Sequence, residues 1–169
     1  AGRVILRLRS GSPEDTFEIA RLLGLALAPG DVVALTGDLG AGKTRFCKGI
    51  GAALGIPPDR VVSPTFTIVM EHDGNPPLVH VDVYRIDTIG EAVGIGLDET
   101  LSGGEAVCVV EWAEKLGELL PTGCIRVTFT ISGDDTREIE VSAPDLERFS
   151  VFRERSRRFQ PGGRNGQWH

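Results

Sequence analysis

Val4, Leu6 and Leu8 alternate with Ile5, Arg7 and Arg9, a period near two that predicts an N-terminal strand with one partly solvated face. A helix start follows. Ser12 suits an N-cap, Pro13 the first helical position and Asp15 the acidic place of a capping box, ahead of Ile19, Leu22, Leu23, Ala26 and Leu27 at helical spacing. Pro29 and Gly30 end that helix. Val32 to Leu35 is a short apolar run of the buried-strand type. It runs directly into Thr36-Gly37-Asp38-Leu39-Gly40-Ala41-Gly42-Lys43-Thr44, after which Phe46, Cys47, Ile50 and Leu54 mark the inner side of a second helix.

Thr65 to Met70 and Leu78 to Tyr84 read as two strands of a hairpin around the turn-like Asp73-Gly74-Asn75-Pro76-Pro77. From Asp87 to Leu101 only short helical pieces are expected, because Gly90, Gly94 and Gly96 interrupt the pattern. Ala106 to Val110 is a second buried-type strand ending in Glu111-Trp112, and a short helix is expected near Ala113 to Leu119. Ile125, Val127, Phe129 and Ile131 then alternate with polar partners, turn at Gly133-Asp134-Asp135 and pair with Ile139 and Val141. Buried runs alternating with helices, plus hairpins, predict an α/β fold: a P-loop NTPase-like three-layer sandwich with a mixed, mainly parallel central sheet and antiparallel hairpins.

Composition narrows the setting. The 169 residues suit one domain, and no apolar run reaches the roughly 20 residues needed to span a bilayer. No signal peptide is visible, and the three cysteines form neither a C-x-x-C pair nor a metal-like cluster, so a cytoplasmic location without a disulfide framework is expected. Residues 1–149 carry 13 Lys and Arg against 23 Asp and Glu, whereas the last 20 residues carry five Arg against one Glu. An acidic body binds phosphate backbones poorly, which argues against direct contact with nucleic acid. The expected organisation is a P-loop ATPase domain over 1–149 and a basic, flexible tail over 150–169, its glycine-rich end mobile and the basic stretch before it either a short helix drawn to the acidic body or to partner-held tRNA or a plain solvated tail, dispensable for ATP binding because the P-loop and both candidate acids lie between residues 37 and 111.

Gly37 to Thr44 matches G-x-x-x-x-G-K-[ST] at every fixed position, with the strand before it and the helix after it that the motif requires. Glycines let the backbone wrap a phosphate with its N–H groups inward, and the helix N-terminus adds partial positive charge. Lys43 is the candidate for reaching the β- and γ-phosphates, and the Thr44 hydroxyl for magnesium. Asp38, Leu39, Gly40, Ala41, Gly42, Lys43, Thr44 and Arg45 are therefore the expected ATP-binding stretch. A second magnesium carboxylate is needed at a neighbouring strand end. Glu111 closes a buried run and takes that role; Asp82 closes the more alternating Val79-His80-Val81 and is assigned to orienting or deprotonating the attacking water. Either acid could instead be a solvated strand-end carboxylate.

Ser63-Pro64-Thr65-Phe66-Thr67 lies about twenty residues after the P-loop, where related NTPases place a mobile loop sensing the γ-phosphate, although a plain loop entering a strand has the same composition. His80 is given no role in the chemistry. Trp112 could be core or an exposed anchor for a partner.

These pieces resemble the TsaE family, also called YjeE. The likeness rests on Gly37-Asp38-Leu39-Gly40-Ala41-Gly42-Lys43-Thr44, Ser63-Pro64-Thr65-Phe66-Thr67, His80-Val81-Asp82-Val83-Tyr84-Arg85 and Val110-Glu111-Trp112, and it covers about residues 4 to 145. Arg45 departs from the family's usual threonine and should be tolerated on the helix's outer side. The resemblance implies an ATPase using ATP and Mg2+ that works with TsaB and TsaD to place a threonylcarbamoyl group on adenosine 37 of tRNA, meeting tRNA only through those partners. It further implies Thr44 and Glu111 as magnesium ligands, Asp82 as needed for hydrolysis, and Ser12, Glu114 and Arg137 as nucleotide-side contacts. Ser63, Pro64, Thr65 and Trp112 are the corresponding switch or partner candidates. The alternatives are a P-loop small-molecule kinase, for which no arginine-rich lid segment is present between residues 60 and 145, and a nucleotide-sensing module without turnover. A GTPase is disfavoured because N-K-x-D is absent.

Overall fold

The computed structural model describes residues 2–38, 40–62, 68–102 and 104–162. One seven-stranded sheet runs in the order β1-β7-β6-β2-β5-β4-β3. Its strands are β1 (Arg3–Ser10), β2 (Val32–Thr36), β3 (Val69–His72), β4 (Leu78–Asp82), β5 (Val107–Glu111), β6 (Ile125–Ile131) and β7 (Arg137–Pro144). The four central strands β6, β2, β5 and β4 are mutually parallel, and β1, β7 and β3 join antiparallel at the edges. The alternating β4 thus has a parallel neighbour in β5 and an antiparallel one in β3. Its alternation reflects the hairpin with β3, while Leu78, His80 and Val81 are nevertheless buried.

Strand pleating sends successive side chains to opposite faces, and the core divides accordingly. Val33, Leu35, Val107, Val109, Ile125 and Val127 face α1 (Pro13–Gly24), α2 (Lys43–Ala53) and α5 (Glu147–Arg155). Val32, Ala34, Cys108 and Val110 face α3 (Ile89–Gly94), α4 (Leu97–Leu101) and the short 3-10 turns at Ala113–Lys115 and Gly117–Leu119. Those two faces are the outer layers of the expected sandwich. No helix among the described residues is long and apolar enough to cross a membrane.

The N-terminus of α1 forms as its residues require. Ser12 Oγ accepts the Asp15 N–H at 3.1 Å, and Asp15 reaches back to the Gly11 N–H at 2.9 Å, closing the first turn reciprocally. At the other end of the chain the structure corrects the expected division at residue 150, which falls inside α5. Phe149, Phe152 and Phe159 are all buried in the α1/α2 core, and Arg148 pairs with Asp31, its Nη2 donating to Oδ1 at 3.0 Å. Phe149 and Phe152 lie one turn apart on α5 and Phe159 sits in the 3-10 turn Arg157–Phe159 that follows, so Arg153 and Arg155 form the solvated side of a packed helix. Residues 163–169 of the expected tail lie outside the described residues. Phe152→Ala should cost about 3–5 kcal/mol of unfolding free energy in a urea titration, as a cavity does when a buried ring is lost; a change within error of zero would mean that α5 is not part of the core.

Candidate active site

Parallel pairing of β2, β5 and β4 brings three strand ends to one place. Leu35 lies opposite Glu111, and Glu111 opposite Asp82. Because Val107 and Val109 face the α1/α2 layer, strand alternation puts Glu111 on that face too, and the same count from Leu78 puts His80 and Asp82 there. The P-loop leaves β2 beside these acids and enters α2 at Lys43. Gly42 holds φ at 102°, which suits glycine, and a Cβ at Gly37 would sit 2.9 Å from Phe129 Cβ and 3.1 Å from its carbonyl, so the loop lies directly on β6. Phe129 is fixed there by an edge contact with Phe46 at 5.3 Å between ring centroids.

Lys43 is only 5% exposed. Its Nζ donates to the Gly37 carbonyl at 2.5 Å and lies 3.5 Å from the centroid of the Trp112 ring. Burial lowers its pKa from the ordinary lysine value, opposed by the carboxylates of Glu111, Glu114, Asp82 and Asp38. Trp112 is half-buried, adopts a left-handed φ of 60° and stacks at a tilt on Tyr84, 5.0 Å between centroids. It is therefore neither sealed in the core nor standing free: one partner is Tyr84 and another the P-loop lysine.

The remaining candidates fall around this centre to different degrees. Thr44 is half-buried in the first turn of α2, whereas Arg45 is exposed on its outer side, as its position predicts. Ser12 uses its hydroxyl as the α1 cap, yet that end of α1 touches the P-loop, since Thr16 Cγ2 is 3.5 Å from where a Cβ on Gly42 would lie. Arg137 Nη2 donates to the Gly40 carbonyl at 3.1 Å, and its Nη1 holds the Gly133, Asp134 and Thr136 carbonyls of the β6–β7 turn. Asp38 and Glu114 are exposed, and Asp82 Oδ1 accepts the Tyr84 N–H at 2.9 Å. Leu39, Ser63, Pro64 and Thr65 lie outside the described residues.

A residue that sequence reasoning passed over sits at the centre. His80 is fully buried, and its Nε2 lies 2.6 Å from Glu111 Oε2. The signal available was its place two residues before Asp82 on the strand that pairs with β5, which becomes meaningful only once the register is known. Hydroxyl and carboxylate oxygens from Thr44, Glu111 and Asp82 are the donor type that a small hard cation such as Mg2+ takes, and a carboxylate held by a neighbouring side chain is oriented as metal ligands usually are.

The family model described as "Threonylcarbamoyl adenosine biosynthesis protein TsaE" matches residues 10–139. The chain is 48% identical over 140 residues to the tRNA threonylcarbamoyladenosine biosynthesis protein TsaE of Bacillus subtilis, covering 82% of this chain and 85% of that one. It is 38% identical over 137 residues to the protein of the same name from Treponema pallidum, covering 81% and 100%. Among solved structures, the Bacillus subtilis protein YdiB superposes with a TM-score of 0.74 at 42% identity, covering 92% of this chain and 95% of that one.

Proposed function

The chain belongs to the TsaE family, and on that premise we propose that it is a Mg2+-dependent ATPase supporting formation of the threonylcarbamoyl group on adenosine 37 of tRNA, together with TsaB and TsaD homologues. The observation that carries the ATPase reading is the pairing of Asp82 and Glu111 across adjacent strand ends, with both carboxylates among the charges that act on Lys43.

In this reading the backbone N–H groups from Gly40 to Arg45 and the N-terminus of α2 cradle the phosphates, and Lys43 leaves the Gly37 carbonyl to reach the β- and γ-oxygens. Arg45 contributes its backbone, its side chain pointing outward. Thr44 and Glu111 would hold magnesium, which when bound neutralises charge on the β- and γ-phosphate oxygens. Asp82 orients a water for attack on the γ-phosphorus; the bond to the β–γ bridging oxygen breaks, giving ADP and phosphate. Arg137 braces the loop through Gly40, and the capped end of α1 at Ser12 closes its other side. Glu114 and Trp112 border the nucleotide side, and Ser63, Pro64 and Thr65 are the candidates for sensing the γ-phosphate or meeting a partner.

Phosphate release from ATP by the purified chain, with and without Mg2+ and with and without TsaB and TsaD homologues, tests the reading. Release that needs Mg2+ and rises with the partners is expected. Tight ATP binding with no release under any condition would make this a nucleotide-sensing module instead, which the engagement of Lys43 by Gly37 and Trp112 would then explain.

His80 gives a separate test of Glu111. Removing the partner of a metal carboxylate typically weakens the metal about 10- to 100-fold, so His80→Leu should raise the Mg2+ concentration needed for half-maximal ATP binding by that order, while His80→Gln, which keeps a donor near Nε2, should restore most of it. Equal Mg2+ requirements in wild type and His80→Leu would separate His80 from the site.

A further inference from the structure

We propose that Cys47, His80 and Glu111 form a binding site for a thiophilic divalent cation of the zinc class, and that its occupancy withdraws Glu111 from magnesium. Cys47 comes from the second turn of α2, His80 from the middle of β4 and Glu111 from the end of β5. They are 0%, 0% and 4% exposed, and one ligand atom from each lies within 4.8 Å of the others. Among the described residues no other three His, Cys, Asp or Glu side chains converge in this way. Cys108 and Cys124, also free and buried, belong to no such group.

The donor set decides which cation fits. Magnesium takes oxygen ligands and has no use for a thiol, whereas sulfur, imidazole nitrogen and carboxylate oxygen are the usual zinc donors. With metal–sulfur near 2.3 Å and metal–nitrogen or –oxygen near 2.0–2.1 Å, tetrahedral ligands stand about 3.3–3.7 Å apart, so His80 and Glu111 must part by less than about 1 Å and the sulfur close by about as much. His80 also has an uncommitted atom: Nδ1 is buried with no hydrogen-bond partner.

Binding breaks the Cys47 S–H bond, forms a sulfur–metal bond and releases that proton to solvent. The Nε2 proton that the Glu111 carboxylate accepts passes to Nδ1, so the neutral His80 ring presents its Nε2 lone pair to the metal, Glu111 adds its carboxylate and water takes the fourth position, with no oxidation or reduction. One thiolate and one carboxylate neutralise a dication, which suits a buried place where an uncompensated thiolate is costly. Without metal the thiol stays protonated, since burial pushes its pKa well up and the Glu111 and Asp82 charges add to that.

The binding part stands on geometry alone; the inhibitory part rests on Glu111 serving magnesium. Cobalt(II) titrated into the purified full chain should produce a near-ultraviolet thiolate-to-cobalt absorption that Zn2+ abolishes by displacement. Cys47→Ser should lose this band and bind cobalt more than about tenfold more weakly, because losing a ligand costs at least what losing a ligand's support does. Cys47→Ala, checked by its unfolding midpoint, guards against a defect peculiar to a buried hydroxyl. Zn2+ should inhibit Mg2+-dependent phosphate release by the wild type and spare both Cys47 variants, whose own turnover should be unchanged. A wild type without the thiolate band, or with cobalt affinity equal to that of the variants, would overturn the site. A wild type that shows the band but releases no phosphate would uphold the site and remove the ATPase reading instead.

Discussion

Lys43→Ala should lower kcat/KM for ATP by about 10²- to 10³-fold, the usual loss when one preorganised donor to developing phosphate charge is removed. The side chain is 5% exposed, sits among four carboxylates and is held by Gly37 and Trp112, so no solvent cation can take its place in the same geometry. Removing a buried ammonium also relieves its desolvation, and the fold should survive. Steady-state phosphate release, with circular dichroism as a folding check, measures this. Unchanged turnover in a folded variant would contradict the placement of Lys43 at the phosphates.

Asp82 and Glu111 should separate under substitution even though they face each other across one register position. Asp82→Asn should keep Mg2+-dependent ATP binding and lose turnover by about 10²- to 10⁴-fold, the range for a positioned acid or base. Glu111→Gln should instead weaken the Mg2+ dependence of binding itself. Glutamine is the sharper choice than alanine there, because Glu111→Ala would strand His80, whose Nδ1 already lacks a partner, and an orphaned buried polar atom costs about 1–3 kcal/mol of stability. Calorimetric titration of ATP at several Mg2+ concentrations distinguishes the two; the opposite pattern would exchange their roles.

The P-loop was legible in the sequence because its chemistry is local: Gly37 to Thr44, the apolar run before it and the helix after it lie within about twenty consecutive residues. The Ser12 cap and the β6–β7 hairpin were legible for the same reason. What sequence left hidden depends on long-range pairing. β1 joins β7 across more than a hundred residues, and β4 lies parallel to β5, a register that carries His80 under Glu111 and near Cys47. Nothing in the local pattern of Val79-His80-Val81 reports that neighbour. The packing of the carboxy-terminal segment was hidden for another reason. Its arginines suggest a solvated tail, although Phe149 and Phe152 have the spacing of a buried helix face and Phe159 packs beside them from the following 3-10 turn.

The most direct test of the account is threonylcarbamoyl formation on adenosine 37 of a tRNA substrate, measured by mass spectrometry of its nucleosides in a reconstituted mixture of TsaB and TsaD homologues, the activated threonylcarbamoyl donor, ATP and Mg2+. Repeated modification should appear with the wild-type chain and fall to the level of the mixture lacking it with Lys43→Ala or Asp82→Asn. Equal modification with the wild type, with either variant and with no added chain would contradict the proposed role.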